Sequence, residues 1–187
     1  MSEYARPYAV LDANVIYPAP VRDLLLNLAA CGLFQPIWSD KIHEEWIRNL
    51  LKNRPDLEST KLARSVELMN SAFPSATISG YKDIIEDLTL PDPDDRHVLA
   101  VAIKSKAQFI LTFNKKDFPR SYVSEFNIVI LSPDEFLKEL NSSDPEAVEK
   151  AFNMHLTSLK NPPIKRESLI KILQRCNIKS ADHIFSS

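Results

Sequence analysis

Residues 90–103, LPDPDDRHVLAVAI, set three carboxylates, Asp92, Asp94 and Asp95, into four positions at the entrance of an apolar helical run. Like charges packed this closely repel one another and call for a counter-charge. Acids recur at comparable places elsewhere in the chain. Asp12 ends the apolar run YAVLD, Glu44 and Glu45 lie one turn into KIHEEWIRNLLKN, and Asn114 and Asp117 follow QFILT in TFNKKDF. Oxygen donors with no cysteine and little histidine nearby favour Mg2+ or Mn2+ over Zn2+. A divalent ion held by carboxylates suits phosphodiester hydrolysis, because it makes a water more nucleophilic and stabilises charge on phosphorus and the leaving oxygen. Each acid also has a plainer reading: a loop or helix cap for Asp12 and the 92–95 group, a wet helix face for Glu44 and Glu45, a turn for Asp117. His97, on the Ala/Val-rich helix, reads as a packed residue rather than a ligand. The joint pattern is what argues for a site.

Bringing these residues together requires a particular kind of fold. Short apolar runs at 8–12, 34–38, 108–112 and 126–131 read as buried strands, with residues 76–78 a weaker candidate. Amphipathic segments lie between them. One stops at Gly32; another is capped by Ser39 or Asp40; a third ends near Pro74; a fourth, capped by Asp92 or Asp94, runs to about Ala107; a fifth starts with Ser132 as cap and Pro133 behind it. Alternating strands and helices predict an α/β fold, a parallel sheet with helices on both faces. In such a sheet, ligands bind beyond the carboxyl ends of the strands. Asp12 and the 114–117 segment leave strands at that edge, and the 92–95 and 44–45 acids open helices there. Acids from four segments should therefore share one cleft.

The chain has 187 residues, room for one α/β core and a small appendage. After NSSDPEAV no strand pattern appears, so the reading is a main domain over residues 1–141 and a helical C-terminal extension over 142–187. Net charge is -2, but unevenly spread: residues 145–187 carry seven Lys/Arg against four acids, leaving the rest at -5. A basic tail on an acidic body can still hold a polyanion locally. Two distant cysteines, no basic leader before an apolar stretch and no long apolar window point to a cytoplasmic protein without a membrane span.

Four segments, YAVLDANVIYPAPVRDLLL, WSDKIHEEWIRNLL, PDPDDRHVLAVAI and ILTFNKKDFP, together resemble the PIN-domain ribonucleases, and most of all the VapC-type toxins of type II toxin–antitoxin pairs. The resemblance covers roughly residues 7–140, and the tail looks like the helical extension of a subgroup. It implies a Rossmann-like fold, Mg2+ or Mn2+ as cofactor, RNA as substrate, a cognate antitoxin and a homodimer. It also implies roles. Asp12 matches the first family acid, Glu45 rather than Glu44 the second, Asp95 the third with Asp92 in reserve, and Asn114 and Asp117 both fit the fourth. Metal ligands would then be Asp12, Glu45, Asp95, Asp117 and Asp92. The alternatives are an RNA-processing nuclease without an antitoxin, and a degenerate module that only binds RNA or protein. A phosphotransfer site on Asp12 is a poorer fit, since such sites want an acid where Asn14 stands.

Overall fold

The computed structural model describes residues 6–186. Residues 1–5, which contributed to the argument against a leader, and residue 187 lie outside it. The elements run β1 (Tyr8–Leu11), α1 (Ala13–Ile16), α2 (Ala19–Ala30), β2 (Gln35–Ile37), α3 (Asp40–Asn53), α4 (Ser59–Ala72), α5 (Lys82–Ile85), α6 (Arg96–Ser105), β3 (Phe109–Leu111), α7 (Arg120–Val123) and β4 (Val129–Leu131). Then come α8 (Pro133–Ser143), α9 (Pro145–Ser158), α10 (Arg166–Arg175) and α11 (Ala181–Phe185).

The strands form one parallel sheet in the order β2-β1-β3-β4. The two central strands, β1 and β3, are buried on both faces: Ala9, Val10, Leu11, Ile110 and Leu111 are all 0 % exposed, and such strands read as unbroken apolar runs. Right-handed crossovers from this order place the β1–β2 connection and the β3–β4 connection on opposite faces. Local chemistry sets the helix starts. The Ser39 hydroxyl accepts from the Ile42 amide, and Ser132 forms a full capping box with Glu135. Gly32 leaves α2 at φ 84, and a side chain there would collide with the Arg6 guanidinium.

Three details differ from the sequence reading. Residues 76–78 do not extend the sheet: Thr77 makes only an isolated parallel bridge to Trp38, and Gly80, at φ 68, turns the chain away. The helix beginning at Asp92 starts as a 3-10 turn over Pro93–Asp95 before becoming α6. The helical extension, read in sequence as a small appendage, packs into the main core. Val148, Ala151, Phe152, Leu173 and Phe185 are buried in the same apolar cluster as Val21, Leu24 and Leu28 of α2. Asp134 at the start of α8 accepts a 2.7 Å bond from the Ser180 amide, which ties the chain's end to the main body. Among the described residues, no helix is long and apolar enough to cross a membrane.

Candidate active site

Asp12 sits where β1 ends and caps α1. It is 5 % exposed, yet its carboxylate is fully engaged: Oδ1 accepts from the Ala13 amide at 2.7 Å, and Oδ2 accepts from Asn14 Nδ2 and the Thr112 hydroxyl, each at 2.8 Å. The sheet register explains the last bond. Leu11 pairs with Leu111, so the next residues, Asp12 and Thr112, leave neighbouring strands side by side. Asn14 closes the knot, with Nδ2 2.9 Å from Thr112 Oγ1 and Oδ1 accepting from the Phe113 amide at 3.0 Å. The Asn114 amide donates to the same hydroxyl at 3.1 Å. Burial pushes the Asp12 pKa up, against the pull of Thr112 and Ala13, and the nearby Glu45 charge adds to the rise.

Asp95, at the junction of the 3-10 turn and α6, is partly buried. Its pKa is pushed up to about 7, first by burial and then by the charges of Asp12, Asp92 and Asp117, with His97 pulling the other way. The acids from three separate segments thus feel one another at this edge. Asp92 itself is exposed and accepts from the Asp94 amide at 2.9 Å as the cap of the turn. Asp94 is exposed as well. Asp117 is half-buried, and Asn114 Nδ2 donates to its Oδ2.

The α3 glutamates separate cleanly. Glu44 is exposed, whereas the Glu45 side chain is 15 % exposed. Glu45 lies 3.0 Å from Nε2 of His97 and 3.6 Å from Lys41 Nζ. His97 is packed, at 5 % exposed, but it also fixes the orientation of a site carboxylate. Its pairing with Glu45 was not read from the sequence, nor was the knot of Asn14 and Thr112. The parallel register after Leu111 could have flagged Thr112; nothing local could have linked His97 to Glu45.

Among the described residues, no group of three or more His, Cys, Asp or Glu side chains is arranged so that it could hold a metal ion as it stands. The carboxylates face internal donors instead: Asp12 toward Asn14 and Thr112, Glu45 toward His97, Asp117 toward Asn114. Their chemistry nonetheless fits a hard divalent cation. They are oxygen donors, gathered from different segments, and burial together with their mutual repulsion raises the Asp95 pKa.

The raised pKa has a consequence for stability. The folded protein holds the Asp95 proton more tightly than the unfolded chain, whose aspartates titrate near 3.8. Stability from this group is therefore fully present below that value and is lost as pH rises through about 7. Asp95→Asn removes the penalty. In EDTA, the variant should melt above the native protein at pH 8, with the gap closing by pH 4. Melting curves across that range check it, and a gap independent of pH would contradict the coupling.

Comparison with known proteins shows the family of the chain. Residues 8–116 match the model of the PIN domain, and residues 133–181 match that of the VapC50 C-terminal domain. A curated relative from Mycobacterium tuberculosis, named "Putative ribonuclease VapC50", is 33 % identical over 94 residues, covering 50 % of this chain and 55 % of the relative. The chain thus matches about half the length of that relative. No solved structure matches the chain. With a PIN model spanning more than half of its residues, the chain belongs to the PIN domain family, and its C-terminal helices carry the VapC50 C-terminal pattern.

Proposed function

We propose that this chain is a divalent-metal-dependent endoribonuclease and the toxin of a type II toxin–antitoxin pair. The observation that carries the catalytic part is the convergence of Asp12 at the end of β1, Asp95 at the start of α6 and Asp117 after β3 on one edge of the sheet, close enough that the charges of Asp12 and Asp117 add to burial in raising the Asp95 pKa. Family membership and the printed name of the relative support RNA as the substrate and an antitoxin as partner. A cytoplasmic location and a homodimer belong to the same reading.

Asp12, Asp95 and Asp117 would hold Mg2+ or Mn2+, with Glu45 beside them and Asp92 at the rim. When bound, such an ion supplies a more nucleophilic water and charge stabilisation at phosphorus and the leaving oxygen. The protein's own residues do the rest. Asn14 and Thr112 hold the Asp12 carboxylate in one orientation. His97, with its Nε2 3.1 Å from Glu45 Oε2, holds Glu45 in place. Asn114, donating from Nδ2 to Asp117 Oδ2, positions Asp117.

The direct test is incubation of total cellular RNA with purified protein plus Mg2+, Mn2+ or EDTA, with cut ends mapped by sequencing. Cuts at defined positions that vanish in EDTA are expected; intact RNA with either metal would sink the reading. Metal should also act on the fold. A cation that binds only the folded state at ~100 times its Kd stabilises by about 2.7 kcal/mol, a rise of several degrees in Tm. Millimolar Mn2+ should raise Tm, and Asp12→Asn should blunt the rise. Superimposed melting curves with and without Mn2+ would rule out a shared cation site.

A further inference from the structure

Apart from the acids, a cavity of about 670 Å3 opens where the start of α2 meets the end of α9 and the flank of α10. Its volume falls in the ~300–1,000 Å3 range of small-ligand sites. Pro20, Leu159, Pro162 and Ile172 provide apolar walls. Polar groups interrupt them, His155, Asp23 and Lys160 among them. His155 is 1 % exposed, and its Nδ1 has no hydrogen-bond partner within the described residues. Burial holds its pKa below the ordinary 6.5, so the ring is neutral at pH 7. Asp23 lines the cavity as well, its side chain 39 % exposed and 3.3 Å from Arg22 Nε. Lys160 lines the cavity too. Among the described residues, Lys160, Lys165 and Lys171 form no ion pair, whereas Arg166 between them pairs with Glu149.

These features favour a flat heteroaromatic ring attached to an anion. Apolar walls take the ring faces, a carboxylate accepts from ring amino groups, and an unpaired lysine meets a phosphate. The cations are those of the +3 segment, on an otherwise acidic body. Ala19, which lines the cavity, follows Asp12 by seven positions, and α2 starts beyond the carboxyl end of β1, the edge where Asp12 lies. We propose that this cavity is a nucleotide subsite, taking one unpaired base of the RNA outside the bond to be cut while Lys160 engages the adjoining phosphate. The proposal rests on the ribonuclease reading for the identity of its strand.

The test uses the full chain and a short, fluorescently labelled single-stranded RNA in EDTA, where binding is read without cleavage. Lys160→Glu removes the phosphate contact at an exposed position, and Ile172→Trp fills the cavity. Each should weaken binding about tenfold, the scale of one stacked base. Lys150→Glu, an equal charge change on another face of α9, should stay within about threefold. A set of RNAs with one abasic position moved along the strand should show one position where the native protein loses affinity. Ile172→Trp should be indifferent at that position. Native affinity in both variants, in a protein that cuts RNA with Mn2+, overturns the subsite and leaves the ribonuclease reading standing. Failure to cut RNA overturns that reading instead, while the abasic signature still decides the cavity. Should the variants bind RNA normally but lose a protein partner, the cavity is a protein-docking groove and the proposal fails.

Discussion

Glu45→Gln and Asp95→Asn are each expected to lower RNA cleavage at saturating Mn2+ by at least ~100-fold, the effect of several kcal/mol lost from a metal-assisted step. Glu44→Gln and Asp94→Asn are expected to stay within ~10-fold, apart from a small local cost at the turn. The four changes are chemically alike and fall on two pairs of adjacent residues, so they separate position from charge. Glu45 is held by His97 and its charge is felt at Asp12, while Glu44 is exposed. Asp95 is coupled to three other acids, and Asp94 is exposed. Rates for the four purified variants on one RNA decide the matter. A dead Glu44→Gln beside an active Glu45→Gln would mean that the α3 register does not carry the chemistry. Activity in all four would remove the metal-nuclease reading altogether.

The second large effect is on the fold. Phe152→Ala should destabilise the protein by ~3–5 kcal/mol, the cost of emptying a buried aromatic site. For a chain of this size that corresponds to a fall in Tm of about 10 °C. Phe152 is 0 % exposed, stacks on Phe185 with ring centroids 4.1 Å apart, and carries the Arg166 guanidinium 4.7 Å above its ring. Arg166 in turn donates to the Phe185 carbonyl at 2.7 Å and to Glu149 at 2.8 Å. The tail is thus packed on itself and on α2. Deleting residues 142–187 would strip the cover from Leu24 and Leu28, so a truncated chain is a poor probe of RNA binding, and point variants are the informative ones. Thermal or urea unfolding of Phe152→Ala checks the size of the effect. A loss below about 1 kcal/mol would mean that the tail is only loosely held.

Much of this protein was legible in the order of its residues. Short apolar runs bounded by Asp12, Ser39 and Ser132 marked strands and helix starts, because caps and periodicity are local and act within one turn. The alternation of those elements was enough to derive a parallel α/β sheet and a common edge for the acids. Local signals also went astray where tertiary geometry took over: residues 76–78 have a strand's composition but only one bridge to pair with, since Gly80 turns the chain off the sheet. Other facts were decided by the tertiary structure alone. Thr112 meets Asp12 through a strand register that joins residues 100 positions apart, Asn14 reaches Thr112 across 98, and His97 reaches Glu45 across 52. The basic tail reads in sequence as a charged appendage, because its cations are periodic and visible while its apolar face has no partner until α2 is folded beneath it. Contacts between distant segments depend on how layers pack, and no window of neighbouring residues contains that information.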